Sequence, residues 1–374
     1  MLTARPRFPV KQILLQGLLP SFIKRLLYRW KGYKIGRGVS FGFGSVVCGE
    51  SVEIGDHTTI GFLTIIRGKS ITLGAHVQIG SMAMFDTPHL EIGDGSKINE
   101  QVFVGGLQHP DSRLKIGRNC QIMQMTFINP TRSITIGDDT GIGGDCLLFG
   151  HSSWLSKFEG YDVNFEPIEI GKSVSLAWRV FVLPGARIGD GTVIGANSLV
   201  KGVVPPRCLA AGFPARVISR HPEYPREVSA GESEAILGDI VSELAKYLHG
   251  FGFECQSISK AGFEVFGSLQ GSRQERRSRG RLSVIYQNND GKEDLRESSG
   301  SDVLISLCSL SHSIRRKLEA SGTVWVDIKN KERSDGTNDL GEEVIDFLKR
   351  YGVRLFRDHT NRPTTGAKDS KISA

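Results

Sequence analysis

From residue 34 to 220 the chain places an aliphatic side chain at about every sixth position and follows it with Gly or a small polar residue. Ile-Gly occurs at Ile35, Ile54, Ile60, Ile79, Ile92, Ile116, Ile136, Ile142, Ile170, Ile188 and Ile194, several of them six residues apart or close to a multiple of six. An amphipathic helix repeats every three to four residues and a half-buried strand every second, so neither fits. A triangular prism of short parallel strands does fit. Each aliphatic side chain points inward, and each corner turns on a residue that tolerates unusual φ/ψ. A fixed period of this kind is a β-helix signature; stacked coils satisfy one another's backbone groups, and the end coils need caps. The register breaks at 81–90, 105–114 and 151–167. These stretches are predicted to be loops expelled from the prism, where function concentrates.

The period ends on both sides. Residues 1–33 form an N-terminal amphipathic helical segment, with Leu14, Leu15, Leu18, Leu19, Ile23, Leu26 and Leu27 at helical spacing, cations between them and a break at Pro20. This segment is read as a cap on the open end of the prism. A basic amphipathic helix also suits an anionic membrane surface. Residues 221–233 (HPEYPREVSAGES) read as a linker, and 234–358 as a small α/β domain. That domain is expected to have helices at 234–249, 313–320 and 342–351 and strands around 252–257, 281–287, 302–307 and 323–328. Loops are expected at 271–281 and 330–338, and a disordered tail at 359–374.

Length and charge narrow the field. A chain of 374 residues exceeds what one core usually serves, which agrees with two domains. Most of its 45 glycines precede residue 220, as the repeat requires. The net charge of +7 gathers at the N-terminus and in RQERRSRGR at 273–281. No nucleic-acid-binding signature accompanies it, so nucleic acid is set aside as a partner. The run 273–281 is read as a solvated loop and Arg315, Arg316 and Lys317 as one helix face. Six scattered cysteines without a CxxC pair, and no export pattern, read as free thiols of a cytoplasmic protein. No apolar run is long enough to span a bilayer. The expected location is the cytoplasm, with peripheral contact at the inner face of the membrane compatible with the first helix.

Residues 134–218 resemble the hexapeptide-repeat acyltransferase family, particularly the branch that acetylates sugars and surface polysaccharides. The resemblance is most specific in FVLPGARIGDGTVIGANSLVKGVVPPRCLAAGFPARVI at 181–218, which is similar to the family's terminal coils. Phe213 stands where the family has Asn in its closing Gly-Asn-Pro-Ala motif. The resemblance implies a mainly β protein built on a left-handed parallel β-helix. It also implies a homotrimer, with acetyl-coenzyme A along the groove between neighbouring prisms as the acyl-donor substrate, and no metal. By motif, Ala177 and Trp178 flank the thioester, with a backbone N–H of one or the other stabilising the oxyanion. Gly195, Ala196 and Ser198 face the pantetheine, and Lys201 and Arg216 approach the phosphates and adenine. Gly and Ala let a thin ligand lie against backbone, and cations attract phosphate.

Transfer from a thioester to an alcohol needs a base, and an imidazole titrating near ~6.5 suits the task. The family places a histidine one to two coils before the cofactor motif, and His151, in CLLFGHSSW, holds that place. Its orienting partner is either Asp145 or a backbone carbonyl. His109 borders another excursion and is the second candidate, whereas His57, His76 and His89 read as surface corner residues. In the loop 151–167, Trp154 and Tyr161, with Phe158 and Phe165, offer aromatic faces to a sugar ring. The expected activity is therefore acetyl-CoA-dependent O-acetylation of a surface polysaccharide or its sugar precursor. The alternatives are N-acylation of an amino or nucleotide sugar, and a non-catalytic scaffold. A zinc carbonic anhydrase on the same fold needs three histidines meeting across an interface, and the spacing here lacks its characteristic pair. Serine acetyltransferase is disfavoured because its helical N-terminal domain is missing.

Overall fold

A computed structural model describes residues 10–152, 155–259, 262–268, 277–285 and 300–358. The chain divides into two compact units, residues 1–227 and 228–374.

The first unit is a left-handed β-helix with three faces of nine, ten and eight strands. Up to the closing pair, each strand pairs in parallel with its counterpart one coil later. On the first face Ser51 pairs with Ser70, and Ser70 with His89, nineteen residues apart each time. The inward positions of each coil, such as Ile54, Ile60 and Ile66, are buried in one continuous core. The Ile-Gly-Asp motif has a local cause. Oδ1 of Asp56, Asp94, Asp138 and Asp190 accepts a backbone N–H from the preceding coil, at Arg37, Ala75, Arg118 and Lys172. The glycine beneath must lack a Cβ, because one added to Gly36 or Gly117 would lie 2.5 Å from that same carboxylate oxygen. Inside the corners, buried Thr58, Thr64, Thr126 and Thr140 donate to carbonyls of Gly74, Gly80, Gly143 and Gly171. Two of the three corners thus turn on single left-handed residues, among them His57, His76 and Asp145. The third corner absorbs the insertions.

Two of the three expected excursions occur there. Between His89 and Arg113 the repeat lengthens to twenty-four residues, and between Ile134 and Ile168 to thirty-four. The expected loop at 81–90 is not expelled; Met84–Asp86 and His89–Ile92 are regular strands in register. Its small residues had hidden an ordinary coil.

Ser21–Trp30 is a helix lying over the first coil. Lys24 is fully buried and donates to the carbonyls of Gly42 and Ser45 at 2.8 and 2.9 Å. Burial pulls its ammonium down to about 8. The Tyr28 hydroxyl accepts from Val47 N, and Arg25 and Arg29 donate to the carbonyls of Val39 and Ile35. The cap satisfies the carbonyls and N–H groups that an end coil leaves open. At the other end, Cys208–Gly212 and Ala215–Arg220 close the prism as an antiparallel pair.

The second unit has a seven-stranded mixed sheet and helices Ala230–Gly250, His312–Ala320 and Asp339–Lys349. Its first helix starts inside the expected linker, capped by Ser229. Arg277–Ile285 is a strand, so the basic run is partly sheet rather than loop, and Arg281 pairs with Glu264. Arg315 is not on a solvated face. It is ion-paired with Asp327, Glu332 and Asp358 and lies over the Trp325 ring. The tail at 359–374 lies outside the described residues. No helix among the described residues is long and apolar enough to cross a membrane.

Candidate functional site

Leu147–Phe149 is a third-face strand, and the chain leaves the prism immediately after it at His151. Two backbone hydrogen bonds between Ser152 and Asn164 close the base of the excursion. They return Phe165 over the His151 ring, stacked at 5.8 Å between centroids and 17° between planes. Phe149 supports the imidazole at 6.3 Å. His109, from the other excursion, meets Phe165 edge-on at 6.0 Å. The two histidine-bearing excursions therefore share one aromatic ring.

The orientation of the imidazole follows from the coil beneath. Thr131 Oγ1 lies 3.1 Å from His151 Nδ1 and 2.7 Å from Asn129 Oδ1. Asn129 Oδ1 also accepts from Thr131 N, so the amide presents its oxygen and the threonine hydroxyl donates to it. The remaining lone pairs of that hydroxyl face Nδ1, which must then carry the ring proton. Nε2 is left as the basic nitrogen. Burial lowers the His151 pKa below the ordinary imidazole value, keeping the ring neutral near pH 7.

Within one chain Asp145 does not reach this ring. It is a left-handed corner residue on another edge, and its carboxylate accepts from Arg179 Nε at 3.0 Å. The partner is a side chain of the preceding coil, Thr131, which periodicity alone does not single out. Asn-x-Thr at the exit of a third-face strand, one coil before a histidine, was the available signal.

The residues expected to hold the cofactor fall into three groups. Ala177, Trp178, Gly195 and Ala196 share the corner between the second and third faces. There the stack is tight: a Cβ on Gly143 would meet the Ala177 carbonyl carbon at 2.6 Å, and one on Gly195 would meet Ala211 Cβ at 2.8 Å. Trp178 lies half exposed over Gly144, whose missing Cβ makes room for its ring. Of the two expected oxyanion donors, Ala177 N–H is already bonded to Ile194 O. Trp178 N–H has no such bond among the described residues. The Ser198 hydroxyl is turned into the coil. It is buried, donates to Gly195 O at 2.6 Å and accepts from Gly212 N at 3.1 Å, which ties the closing strands to the last coil. Lys201 and Arg216 are both exposed, Lys201 on the corner that carries His151 and Arg216 on the closing strand.

His151 and the Ala177–Trp178 corner lie on opposite edges of the third face, separated by a strand of about five residues, or roughly 16 Å. One chain does not bring them together. Along this face Phe103, Phe127, Phe149 and Phe181 follow one another from coil to coil at 5.3–5.4 Å between centroids, the first pair stacked, the second tilted and the third edge-on, and present an apolar surface.

Tyr161 is exposed on the excursion, beyond a turn of 3-10 helix at Lys157–Glu159, and Trp154 lies outside the described residues. His57 and His76 are corner residues with stacked rings, while His89 opens a strand instead of a corner. No group of three His, Cys, Asp or Glu side chains is placed to hold a metal ion among the described residues.

The chain is similar to several named acetyltransferases. The chain is 34% identical over 114 residues to a protein of Escherichia coli named as the lipopolysaccharide biosynthesis O-acetyl transferase WbbJ, covering 28% of this chain and 58% of that one. It is 34% identical over 128 residues to one named as the colanic acid biosynthesis acetyltransferase WcaF of the same organism, covering 29% and 70%. The matched stretch thus spans little more than half the first relative. A solved galactoside acetyltransferase in complex with coenzyme A is 21% identical, with a TM-score of 0.25 over 56% of this chain and 78% of that one. No family model matches the chain.

Proposed function

The chain belongs to the hexapeptide-repeat acyltransferase family, and from that premise we propose that it is a sugar O-acetyltransferase, transferring an acetyl group from acetyl-coenzyme A to a hydroxyl of a bacterial-type surface polysaccharide or its sugar precursor. The observation that carries the chemistry is the His151 imidazole, held by Thr131 through Nδ1 with Nε2 left to act as the base.

In this reading Nε2 takes the proton of the acceptor hydroxyl as its oxygen attacks the thioester carbonyl. The tetrahedral oxyanion is met by Trp178 N–H of a neighbouring copy. Collapse breaks the C–S bond, and the imidazolium returns its proton to the departing coenzyme A thiolate. Acetyl ester and free thiol result, and the base is restored.

The separation of His151 from the Ala177–Trp178 corner supports a homotrimer with the groove between copies, and the phenylalanine ladder of the third face supplies apolar surface for such packing. Ala177, Gly195 and Ala196 would let pantetheine lie against backbone, with Lys201 and Arg216 toward the phosphates. A polysaccharide acceptor is favoured by the names of the two relatives, both of which concern surface glycans. Tyr161 and Trp154 on the excursion would meet that acceptor. The reaction is assigned to the cytoplasm, where acetyl-CoA is available, with peripheral contact at an anionic membrane. The test is to offer acetyl-CoA with a panel of glycans, nucleotide sugars and amino sugars while following thiol release. Ester formation on a glycan supports the reading; amide formation alone would replace it with N-acylation.

A further inference from the structure

We propose that the N-terminal end of the prism is a docking surface for an anionic lipid bilayer, entered by Phe22, Leu26 and Trp30. The polar and aromatic residues of helix Ser21–Trp30 that point inward are committed to the first coil, through Lys24, Arg25, Tyr28 and Arg29. What remains is the opposite face. Phe22, Leu26 and Trp30 recur at four-residue spacing and are 58%, 62% and 85% exposed. The turn before the helix adds Leu14, Leu15 and Leu18, all more than half exposed. That turn is pinned to the prism by Gly44 N donating to Gly17 O at 2.7 Å, and Gly17 is buried against Gly44. The apolar side chains are thus held outward by a fixed scaffold. An exposed apolar patch of this extent calls for an occupant.

Charge decides which occupant. Between residues 10 and 49 there are seven lysines and arginines and no aspartate or glutamate. Lys34 and Arg37 are paired with Glu53 and Asp56, which leaves Lys11, Lys24, Arg25, Arg29 and Lys31 on the cap. Hydrogen bonds to carbonyl oxygens leave a bound cation's charge uncompensated, so the capping arginines still contribute to the field at this end, as do exposed Lys11 and Lys31. Two copies meeting through this surface would set like charges against each other. An anionic leaflet complements both features, attracting the cations and burying the apolar face at the headgroup boundary. Trp30, the most exposed of these side chains, adjoins Lys31, a pairing suited to the interface between headgroups and water. The surface lies at the end of the prism opposite the closing coils, so docking and acetyl transfer are separable, and this inference stands without the proposed reaction.

The test is sedimentation of the full-length protein with vesicles of phosphatidylcholine alone or mixed with phosphatidylglycerol. The wild type should sediment with the mixed vesicles, be released by salt, and show a blue shift of tryptophan emission that Trp30→Phe removes. The triple variant Phe22→Ser, Leu26→Ser, Trp30→Ser should bind at least about tenfold more weakly, as loss of apolar burial predicts, with an unchanged circular dichroism spectrum. Lys11→Glu with Lys31→Glu, which removes no apolar contact, should weaken binding as well. The proposal is overturned if the wild type stays in the supernatant with anionic vesicles, or if the triple variant binds as the wild type does. It is also overturned if the triple variant instead lowers the oligomeric mass in solution, since the surface would then belong to a second copy.

Discussion

Thr131 Oγ1 lies 3.1 Å from Nδ1 of His151, and the same hydroxyl donates its proton to Asn129 Oδ1. Two adjacent coils therefore fix the tautomer of one ring. Replacing Thr131 with Val removes the acceptor for Nδ1–H, and kcat should fall by roughly tenfold, the worth of one such hydrogen bond. Thr131→Ser should restore most of the rate. Acetyl-CoA affinity should be unchanged in both. Full activity in Thr131→Val would show that the hydroxyl does not position the base.

Burial holds the His151 pKa below the ordinary imidazole value. The working form of a general base is the unprotonated one, so kcat/KM should rise with pH through a single ionisation below 6.5 and stay level above it. Phe165→Ala uncovers one face of the ring and should move that ionisation upward, toward 6.5. A profile that falls across this range, or one that Phe165→Ala leaves in place, would assign the titration to another group.

Much of this was legible in the sequence, for identifiable reasons. The prism follows from Ile-Gly-Asp because that motif encodes an inward side chain, a corner with no room for Cβ and a carboxylate for the coil below. The stretch 81–90 misled because small and polar residues in regular coils look like those of a loop. Asp145 is near His151 in sequence, but in a β-helix five residues suffice to cross a face, and true neighbours are about one coil away. Ser198 belongs to the motif yet serves the fold, since its hydroxyl is spent on Gly195 and Gly212. Arg315 has no periodic signature at all; its three carboxylate partners come from distant parts of the second unit.

Ala196 is exposed at the small-residue corner, so a large side chain there can be accommodated without disturbing the coil. Ala196→Trp should leave the oligomer and its thermal transition intact while abolishing acetyl-CoA binding in calorimetry. Unchanged affinity would move the cofactor to another corner.

The boundary between the two compact units falls after Glu227, ahead of the helix capped by Ser229. Limited proteolysis should cut within 221–229, and a fragment ending at Glu227 should keep the β-rich spectrum of the repeat unit and assemble as a trimer. A helical monomer, or resistance to cleavage with one cooperative transition for the whole chain, would contradict the division.

The central claim, that His151 is the base of an acetyl transfer, is tested most directly by comparing steady-state thiol release in His151→Ala and His109→Ala. Both side chains pack against Phe165, so the two variants disturb the same aromatic cluster. Only His151 has a ring nitrogen held by the Thr131–Asn129 pair. His151→Ala should lower kcat by roughly 10²–10⁴-fold, the range general-base catalysis supplies, with acetyl-CoA affinity and oligomeric mass unchanged, and His109→Ala should lose far less. A dead His109→Ala beside an active His151→Ala, or two variants that both turn over at the wild-type rate, would contradict it.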